Sequence, residues 1–434
     1  MTRRYLLTPL MTGLALCLAL AGCSDDEDTN QSSENQPTEN QPVDNQTPNQ
    51  TDNQNQGEEE PTRCEMTTWN CAEFVDGPSL SMRRHGHQSM VLNSGEVLLF
   101  TGAARSGDSP ASSATNTWEI FDPETDEVVY SDDLPSPRQG ASLLQLPNGT
   151  PVAVGGRSGP TQLATADYLD VDALEWNALP HMAAPFSQAT LLEDGRIAAL
   201  SASTPSDGGN ARIVGQLFDY QVPSWSSASP ITLDYERIWN LKFASTPDSK
   251  LLMTFAHYVG QNDEGRHLHH VDAILYDPDA GDYDTLETFE ISGLSWEETA
   301  PSIQSQIVFL PEAEQFLIHL RPTDEDGQSL ELHAFLYDPA SGSLDPQYVR
   351  DPSPGQVRQV LPGDELIYAG GALVQLYQVA NDQWRVFTRL PEGIYYTNMD
   401  LLPDCRLFFS GERTLDLGDA ELRGVDTGFC MPAE

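Results

Sequence analysis

Lysine is almost absent from this chain of 434 residues, and Lys242 and Lys250 are its only two examples. Acidic residues outnumber basic ones by 66 to 22, which gives a formal net charge of -44. A surface of this sign repels the phosphate backbone of nucleic acids and the headgroups of anionic lipids. The composition therefore argues against a nucleic-acid partner, and it allows membrane contact only through a separate anchor.

Long apolar runs are equally scarce, and the clearest one lies at the N-terminus. It extends from Tyr5 to Ala21 behind a pair of arginines, and Gly22-Cys23 follows it. Charge, apolar length and small residues before a cysteine are the layout of a signal peptide. The segment resembles a bacterial lipoprotein signal, and the resemblance implies that residues 1–22 are removed and that Cys23 is diacylated. A retained membrane helix is the alternative, but the run is short for a bilayer.

The segment after the leader predicts a tether. Residues 23–61 are mostly Asn, Gln, Asp, Glu, Pro, Thr and Ser, so they cannot bury enough apolar surface to fold. We expect this acidic stretch to be disordered and extended. By analogy with enteric lipoproteins, Ser24 in place of aspartate favours the outer membrane or the cell surface over the inner membrane. Arg3-Arg4 fits both a twin-arginine leader and an ordinary one, so the export route stays open.

Cysteine is also rare, with six residues in the chain. Cys17 leaves with the leader and Cys23 is the lipid site, so four remain for the folded body. In an exported protein four thiols predict two disulfides with three possible pairings. A zinc site would need closely paired CxxC spacings, which are absent. The four disulfide candidates are Cys64, Cys71, Cys405 and Cys430.

One pattern recurs through residues 62–434 at intervals typical of propeller blades. It consists of two apolar strands separated by a short turn, as in residues 88–92 and 97–100. Seven such pairs can be read, of which the later ones are looser copies. The other six pairs are 141–146 with 152–154, 189–192 with 197–200, 241–243 with 251–253, 306–310 with 316–318, 357–360 with 366–368, and 399–402 with 407–409.

A third strand follows each pair and often ends in an aromatic residue, Asp and Pro. Phe121-Asp122-Pro123, Tyr276-Asp277-Pro278 and Tyr337-Asp338-Pro339 are complete examples, and the Asp and Pro supply turn chemistry at the strand end. With Gly155-Gly156 and Leu134-Pro135-Ser136-Pro137-Arg138, these residues resemble the kelch repeat. The resemblance implies an all-β, single kelch-type propeller of the kind found in galactose oxidase, with four-stranded blades numbering seven or, alternatively, six. A β-sandwich would not repeat the same four-strand order.

The ends of the repeat predict how the ring closes. The last copy stops after a third strand near residues 415–417, while a strand-like segment, residues 69–75, precedes the first copy. We therefore expect the N-terminal segment to supply the outer strand of the last blade. This closure would gather the four cysteines at one seam, where disulfides restrict unfolding.

The blade junctions supply the candidate binding residues. Each innermost strand is entered from a junction, and the junctions bring several cationic and aromatic side chains towards one end of the channel. Such a group would attract an anion or an acidic partner. The alternative is that the junction arginines pin the blades by bonding backbone carbonyls. The predicted channel mouth comprises Arg84, His87, Arg138, Arg237, Trp239, Arg358 and Tyr396.

No catalytic residue, metal ligand or cofactor is predicted. Copper oxidases resembling galactose oxidase need a cysteine cross-linked to tyrosine, and here every cysteine of the body is assigned to a disulfide. His257, His267, His269 and His270 fall in one hairpin, where residues two apart share a face. We interpret them as solvated loop histidines rather than as a metal site.

The function predicted from these features is that of a lipid-anchored, monomeric binding module for a protein or a glycan. Long second-to-third strand loops that differ between blades favour it. The alternative is a carbohydrate-active enzyme of the epimerase or lyase type, which would show a buried carboxylate opposite a histidine or arginine. A purely structural envelope protein would show neither a polar pocket nor an apolar patch.

Overall fold

The computed structural model describes residues 74–81, 84–105, 112–204, 209–263, 267–292, 303–323, 333–347, 356–370, 373–389, 394–404, 406–413 and 426–430. In these residues the strands form seven antiparallel sheets of at least four strands each, together with one two-stranded ribbon. Among the described residues, no helix has the length and apolarity needed to cross a membrane. The fold is all-β, as predicted.

The strands follow the chain from blade to blade. The first strand, β1 (Phe74–Ser79), precedes blade one. Blade one contains β2 (Gln88–Val91), β3 (Val97–Phe100), β4 (Ala103–Arg105), β5 (Ser112–Asp122) and β6 (Glu127–Arg138). Blade two contains β7 (Ser142–Gln145), β8 (Pro151–Val154), the ribbon β9 (Arg157–Ser158) and β10 (Thr161–Gln162), β11 (Ala166–Asp170) and β12 (Glu175–Ala178). Blade three contains β13 (Gln188–Leu191), β14 (Ile197–Ser203), β15 (Arg212–Asp219), β16 (Ser224–Ser227) and β17 (Ile231–Thr232).

The remaining blades have the same order. Blade four contains β18 (Trp239–Ser245), β19 (Leu251–Gln261), β20 (His267–Tyr276) and β21 (Tyr283–Ser292). Blade five contains β22 (Ile303–Leu310), β23 (Gln315–Pro322), β24 (His333–Asp338) and β25 (Ser343–Gln347). Blade six contains β26 (Gln356–Leu361), β27 (Glu365–Gly370), β28 (Leu373–Gln378), a 3-10 turn (Val379–Asn381) and β29 (Gln383–Arg389). Blade seven contains β30 (Ile394–Leu401), β31 (Leu407–Arg413) and β32 (Asp426–Cys430), with β1 as its outer strand.

The innermost strands form a closed ring. Each of β2, β7, β13, β18, β22 and β26 lies beside the innermost strand of the next blade, and β30 returns to β2. This arrangement is a β-propeller, which confirms the predicted fold class. The turns between first and second strands also meet around the ring, since Gln145 Nε2 donates to Asn93 Oδ1 at 3.2 Å.

The predicted closure is confirmed, although the predicted strand limits were wrong. β1 pairs with β32 in antiparallel register from Phe74 opposite Cys430 to Ser79 opposite Asp426. The strand therefore continues past the predicted end at residue 75. The third strand of this blade is β32, later than the predicted residues 415–417, which lie outside the described part of the chain.

Apolar side chains alternate between the two faces of each sheet and fill the spaces between blades. Trp118 of blade one packs edge-on against Trp176 of blade two at 6.1 Å between ring centroids. Phe121 of blade one stacks on Phe408 of blade seven at 4.8 Å. Because every blade lies between two others, both faces of each sheet are covered, and the core is a set of such layers.

Blades one to three each have a glycine in the turn between their first and second strands, and this glycine helps to identify them in the sequence. Gly95, Gly149 and Gly195 have φ angles of 92°, 86° and 88°, where a side chain is strained. In blade four Ser249 occupies the equivalent place with a φ of 59°. The first-to-second strand turn of blade four therefore forms without the glycine that marks this turn in the sequences of blades one to three.

Candidate functional site at the junction face

The junctions and the second-to-third strand connections lie at the same end of the ring, because the four strands of each blade run up and down in order. We call this end the junction face. The opposite end carries the short turns that contact one another around the ring. Because its connections are the longer ones, a functional site is expected at the junction face.

Arg84 enters the interior of blade one. Its guanidinium pairs with Glu119 on the third strand and donates to Thr117 O at 2.7 Å, and its side chain is 0% exposed. The Ser81 amide donates to the other oxygen of Glu119 at 2.7 Å. Burial lowers the pKa of Arg84 to about 10, which leaves it charged at neutral pH. The pair thus ties the junction to the blade that follows it.

Arg138 occupies the same position before blade two. It pairs with Asp167 and donates to Thr165 Oγ1 at 3.1 Å. In blade three Gln216 has the equivalent role, since its Oε1 accepts the junction amide of Ala183 at 2.7 Å. Glu119, Asp167 and Gln216 each stand three residues before the aspartate that ends the third strand. We call this polar tie between a third strand and its preceding junction a junction clamp.

Blade four has a variant of the clamp. Asp272 accepts from Tyr235 OH at 2.8 Å and from Thr288 Oγ1 at 2.7 Å, and its other neighbour is His257 Nε2 at 3.4 Å. The Tyr235 ring stacks on His257 at 3.5 Å. Burial opposes the ionised form of Asp272, but contacts with His257, Thr288 and Tyr235 outweigh it and lower the pKa of the carboxyl. This is the buried carboxylate opposite a histidine that an enzyme would show.

The predicted channel-mouth residues do not share one environment. Arg84 and Arg138 are enclosed in clamps, which is the structural role that we considered as the alternative. His87 is also buried and its Nε2 lies 2.8 Å from Ser410 Oγ. Burial, together with the charges of Arg84 and His85, lowers the pKa of His87 to about 3, so the ring is neutral.

Two further residues of that group, Arg237 and Trp239, are not enclosed in this way. Arg237 is exposed and Trp239 is half-buried, with its ring 6.1 Å from His269. Arg358 lies on β26 and Tyr396 on β30, and the side chains of both lie outside the described part of the structure. Ligand binding by this group stays a prediction.

Most of the cysteine assignments also stay predictions. Cys23, Cys64, Cys71 and Cys405 lie outside the described residues. Cys430 is the last residue of β32, where its backbone is opposite Phe74 and Leu407. The structure therefore places one of the four cysteines at the closing seam.

The interpretation of the four histidines as solvated loop residues was wrong. β19 and β20 extend well beyond the predicted apolar strand segments, so His257 and His269 lie in paired strands and are 2% and 0% exposed. Neither ring nitrogen of His269 has a partner in the described part of the chain. Burial, with the neighbouring His267 and His257, lowers the pKa of His269 to about 4.

A cleft opens on the junction face between blades two and three. Its volume is about 440 Å³, within the range of small-molecule sites. Two glutamine amides, a guanidinium, a phenyl ring and a hydroxyl line it, together with three glycines. The lining residues are Gln139, Gly140, Gly156, Arg157, Gly159, Gln162, Phe186 and Ser187.

None of these lining residues was predicted as a site. They come from the junction before β7, the β9–β10 ribbon and the approach to β13, which are separate in sequence. The one available signal was Arg157 directly after Gly155-Gly156, in a chain with so few basic residues.

Asp400 marks the channel side of the closing seam. It lies on β30 and accepts a hydrogen bond from Ser89 Oγ of β2 at 2.5 Å. Burial raises the pKa of Asp400 to about 6, and the bond from Ser89 only partly offsets this. A carboxyl whose pKa rises on folding destabilises the folded state when it ionises.

We therefore expect the free energy of unfolding to fall as the pH rises from about 4 to about 6, and we expect this fall to depend on Asp400. At about 1.4 kcal/mol per pKa unit, the rise from 3.8 to about 6 corresponds to about 3 kcal/mol. Because the side chain is half-buried and solvent screens part of this effect, we expect about 1–2 kcal/mol to be realised. Asp400→Asn should flatten this part of the profile in urea titrations at pH 4, 5, 6 and 7. The exposed Asp345→Asn is the control, and equal profiles for Asp400→Asn and the parent would contradict the assignment.

Comparison with known proteins agrees with the fold. No family model matches the chain, and no curated protein matches it. A fungal alcohol oxidase of the AA5 family, solved in complex with copper, matches with a TM-score of 0.55 and 13% sequence identity. The match covers 82% of this chain and 76% of that one. At this identity the likeness shows a shared propeller fold.

The described residues do not provide a comparable metal centre. A copper site needs several converging nitrogen, oxygen or sulfur donors. Nowhere in the described ranges do three or more His, Cys, Asp or Glu side chains converge in that way. In blade four His257 Nε2 lies 3.4 Å from Asp272, but among the described residues no third such donor joins them in a metal-binding arrangement. What this chain shares with the fungal oxidase is the propeller fold.

Proposed function

We propose that this protein is a lipid-anchored, kelch-type propeller of the cell envelope that binds a glycan at its junction face. The leader ending in Cys23 and the acidic tether support the anchor. The cleft between blades two and three carries the binding proposal. It is open and lined mainly by polar groups, and its volume lies in the range of small-molecule sites.

The chemistry of the cleft favours a glycan over a protein partner. Gln139 and Gln162 offer amides that both donate and accept, which suits the hydroxyls of a sugar. Phe186, which is 7% exposed, adds a small apolar area to the cleft for contact with a sugar ring. A protein partner would instead require a broad surface, about 800 Å² on each side.

The alternative enzyme is disfavoured by the position of its best candidate residues. Asp272 and His257 are 3% and 2% exposed, so a substrate atom has no approach to them. The pair also occupies a junction clamp, where blades one to three carry groups with a structural role. A catalytic acid or base must reach the reacting atom directly or through one water.

A glycan array probed with the chain from residue 24 onwards tests the proposal. We expect binding of a defined set of glycans and a loss of about tenfold in affinity for the double variant Gln139→Ala, Gln162→Ala, because two neutral hydrogen bonds are removed. Gln221→Ala, an exposed glutamine of blade three, is the matched control.

The outcomes separate the proposal from its alternatives. If the parent chain binds no glycan, the proposal is wrong and the search moves to protein partners. If the double variant binds as well as the parent, the cleft is not the site. Chromatographic change of a bound glycan after incubation would favour the enzyme.

A further inference from the structure

Arg157 is an uncompensated cation in an otherwise acidic molecule. Some arginines of the described structure have carboxylate partners, as in the pairs of Arg84 with Glu119 and of Arg196 with Asp194 and Asp279. Arg212, Arg237 and Arg385 are exposed without an ion pair to a described residue, and Arg157 differs from them because it lines the cleft. Arg157 is exposed at the cleft and forms no ion pair with any described residue. In a chain with 66 acidic residues, a guanidinium without a carboxylate is free to bind one from outside.

Blade one shows that the backbone does not require this arginine. Arg84-His85-Gly86 and Arg138-Gln139-Gly140 are equivalent junctions, and the two middle glycines have φ angles of 60° and 64°. In blade one His85 forms an isolated antiparallel bridge with Ala103. In blade two Gln139 forms the same bridge with Arg157.

Sterics at the bridge are also the same in the two blades. A Cβ on Gly102 would lie 2.9 Å from His85 O, and one on Gly156 would lie 3.0 Å from Gln139 O. Both glycines are thus needed for the close approach of the junction. The residue that follows is a buried alanine in blade one and an exposed arginine in blade two. The arginine is therefore an addition to a framework that closes without it.

The other groups of the cleft define the ligand. A guanidinium binds a carboxylate through two parallel N–H···O bonds. One cation beside two amides suits a ligand with one carboxylate and several hydroxyls. A polyanion would instead be repelled by the net charge of -44, and Arg157 alone would offset little of that repulsion. Sugars that carry a carboxylate on the ring have this combination of groups.

We infer that the cleft binds an acidic sugar of the hexuronate class, with its carboxylate paired to Arg157 and its hydroxyls bonded to Gln139 and Gln162. This inference rests on the proposed function, since it names the kind of glycan. It applies both to a free sugar acid and to a residue within a polysaccharide, because the recognised groups are the same.

Titration calorimetry of the chain from residue 24 onwards tests it with matched ligands. The probes are a hexuronate trisaccharide, the same trisaccharide with its carboxyls reduced to alcohols, and the free hexuronate. We expect the reduced form to bind about 10- to 100-fold more weakly, and Arg157→Ala to lose a similar factor for the acidic form only. Arg157→Lys should lose less, because the charge remains without the bidentate geometry.

Arg385→Ala, an exposed arginine on the outer strand of blade six, is the control and should bind as the parent does. Melting temperatures of all variants show whether the fold is kept.

Equal binding of the acidic and the reduced trisaccharide overturns the inference but leaves glycan binding standing. Unchanged binding by a folded Arg157→Ala variant removes the site. Binding of no sugar by the parent contradicts the proposed function itself. Binding of the trisaccharide but not of the free acid supports a polysaccharide ligand.

Discussion

Arg84→Ala is expected to lower the free energy of unfolding by about 3–5 kcal/mol, the range observed when one partner of a buried ion pair is removed. The substitution leaves the carboxylate of Glu119 enclosed, with the Ser81 amide as its remaining partner in the described structure. It also leaves the carbonyl of Thr117 without its guanidinium donor. Urea unfolding followed by tryptophan fluorescence measures the change.

Arg196→Ala is the matched control, because the ion pairs of Arg196 with Asp194 and Asp279 are partly exposed. We expect it to cost about 1 kcal/mol or less. Arg84→Met combined with Glu119→Leu should cost less than the sum of the single changes, since no uncompensated charge remains. Equal losses for Arg84→Ala and Arg196→Ala would refute the clamp as a stabilising element.

Trp118→Ala is expected to cost about 3–5 kcal/mol through the cavity it leaves. The side chain is 1% exposed and lies between blades one and two, where its ring is 4.9 Å from that of Tyr130 and 6.1 Å from that of Trp176. Removing it deprives both neighbouring rings of a contact. Thermal unfolding by circular dichroism, with urea titration at 25 °C, measures the effect.

The exposed Val129→Ala is the control and should change stability by no more than about 0.5 kcal/mol. Trp118→Phe should fall between the two, because the phenyl ring fills part of the space. A loss below about 1 kcal/mol for Trp118→Ala would show that the layer between the two blades collapses to fill the gap.

The propeller could be predicted from the sequence because its blades repeat turn chemistry as well as apolar patterning. Gly95, Gly149 and Gly195 stand where the turn requires a positive φ. The later blades were less distinct, since Ser249 takes the same backbone position without changing the apolar pattern. Strand lengths were the weakest part, as the paired residues of β19 and β20 extend to His257 and His269.

The candidate site could not be predicted, for two physical reasons. Arg84 and Arg138 were visible as junction residues, but only the packed structure shows Glu119 and Asp167 enclosing them. The cleft is built from a junction, a two-residue strand pair and the approach to the next blade, which are brought together by the ring alone. The Gly155-Gly156 pair before Arg157 was the one local signal, and it does not show that Arg157 is exposed where blade one has the buried Ala103.

The pairing of β1 with β32 also determines when, during synthesis and folding, the ring can close. Residues 74–79 are synthesised before blades one to six, whereas their partner, residues 426–430, is synthesised after them. Through that interval the first strand has to wait unpaired while the intervening blades form. Closing so long a loop is slow, and an unpaired strand edge invites pairing with other chains. The closing of the ring is therefore the folding step most exposed to aggregation, and a factor that shields the first strand would act on the rate of folding rather than on final stability.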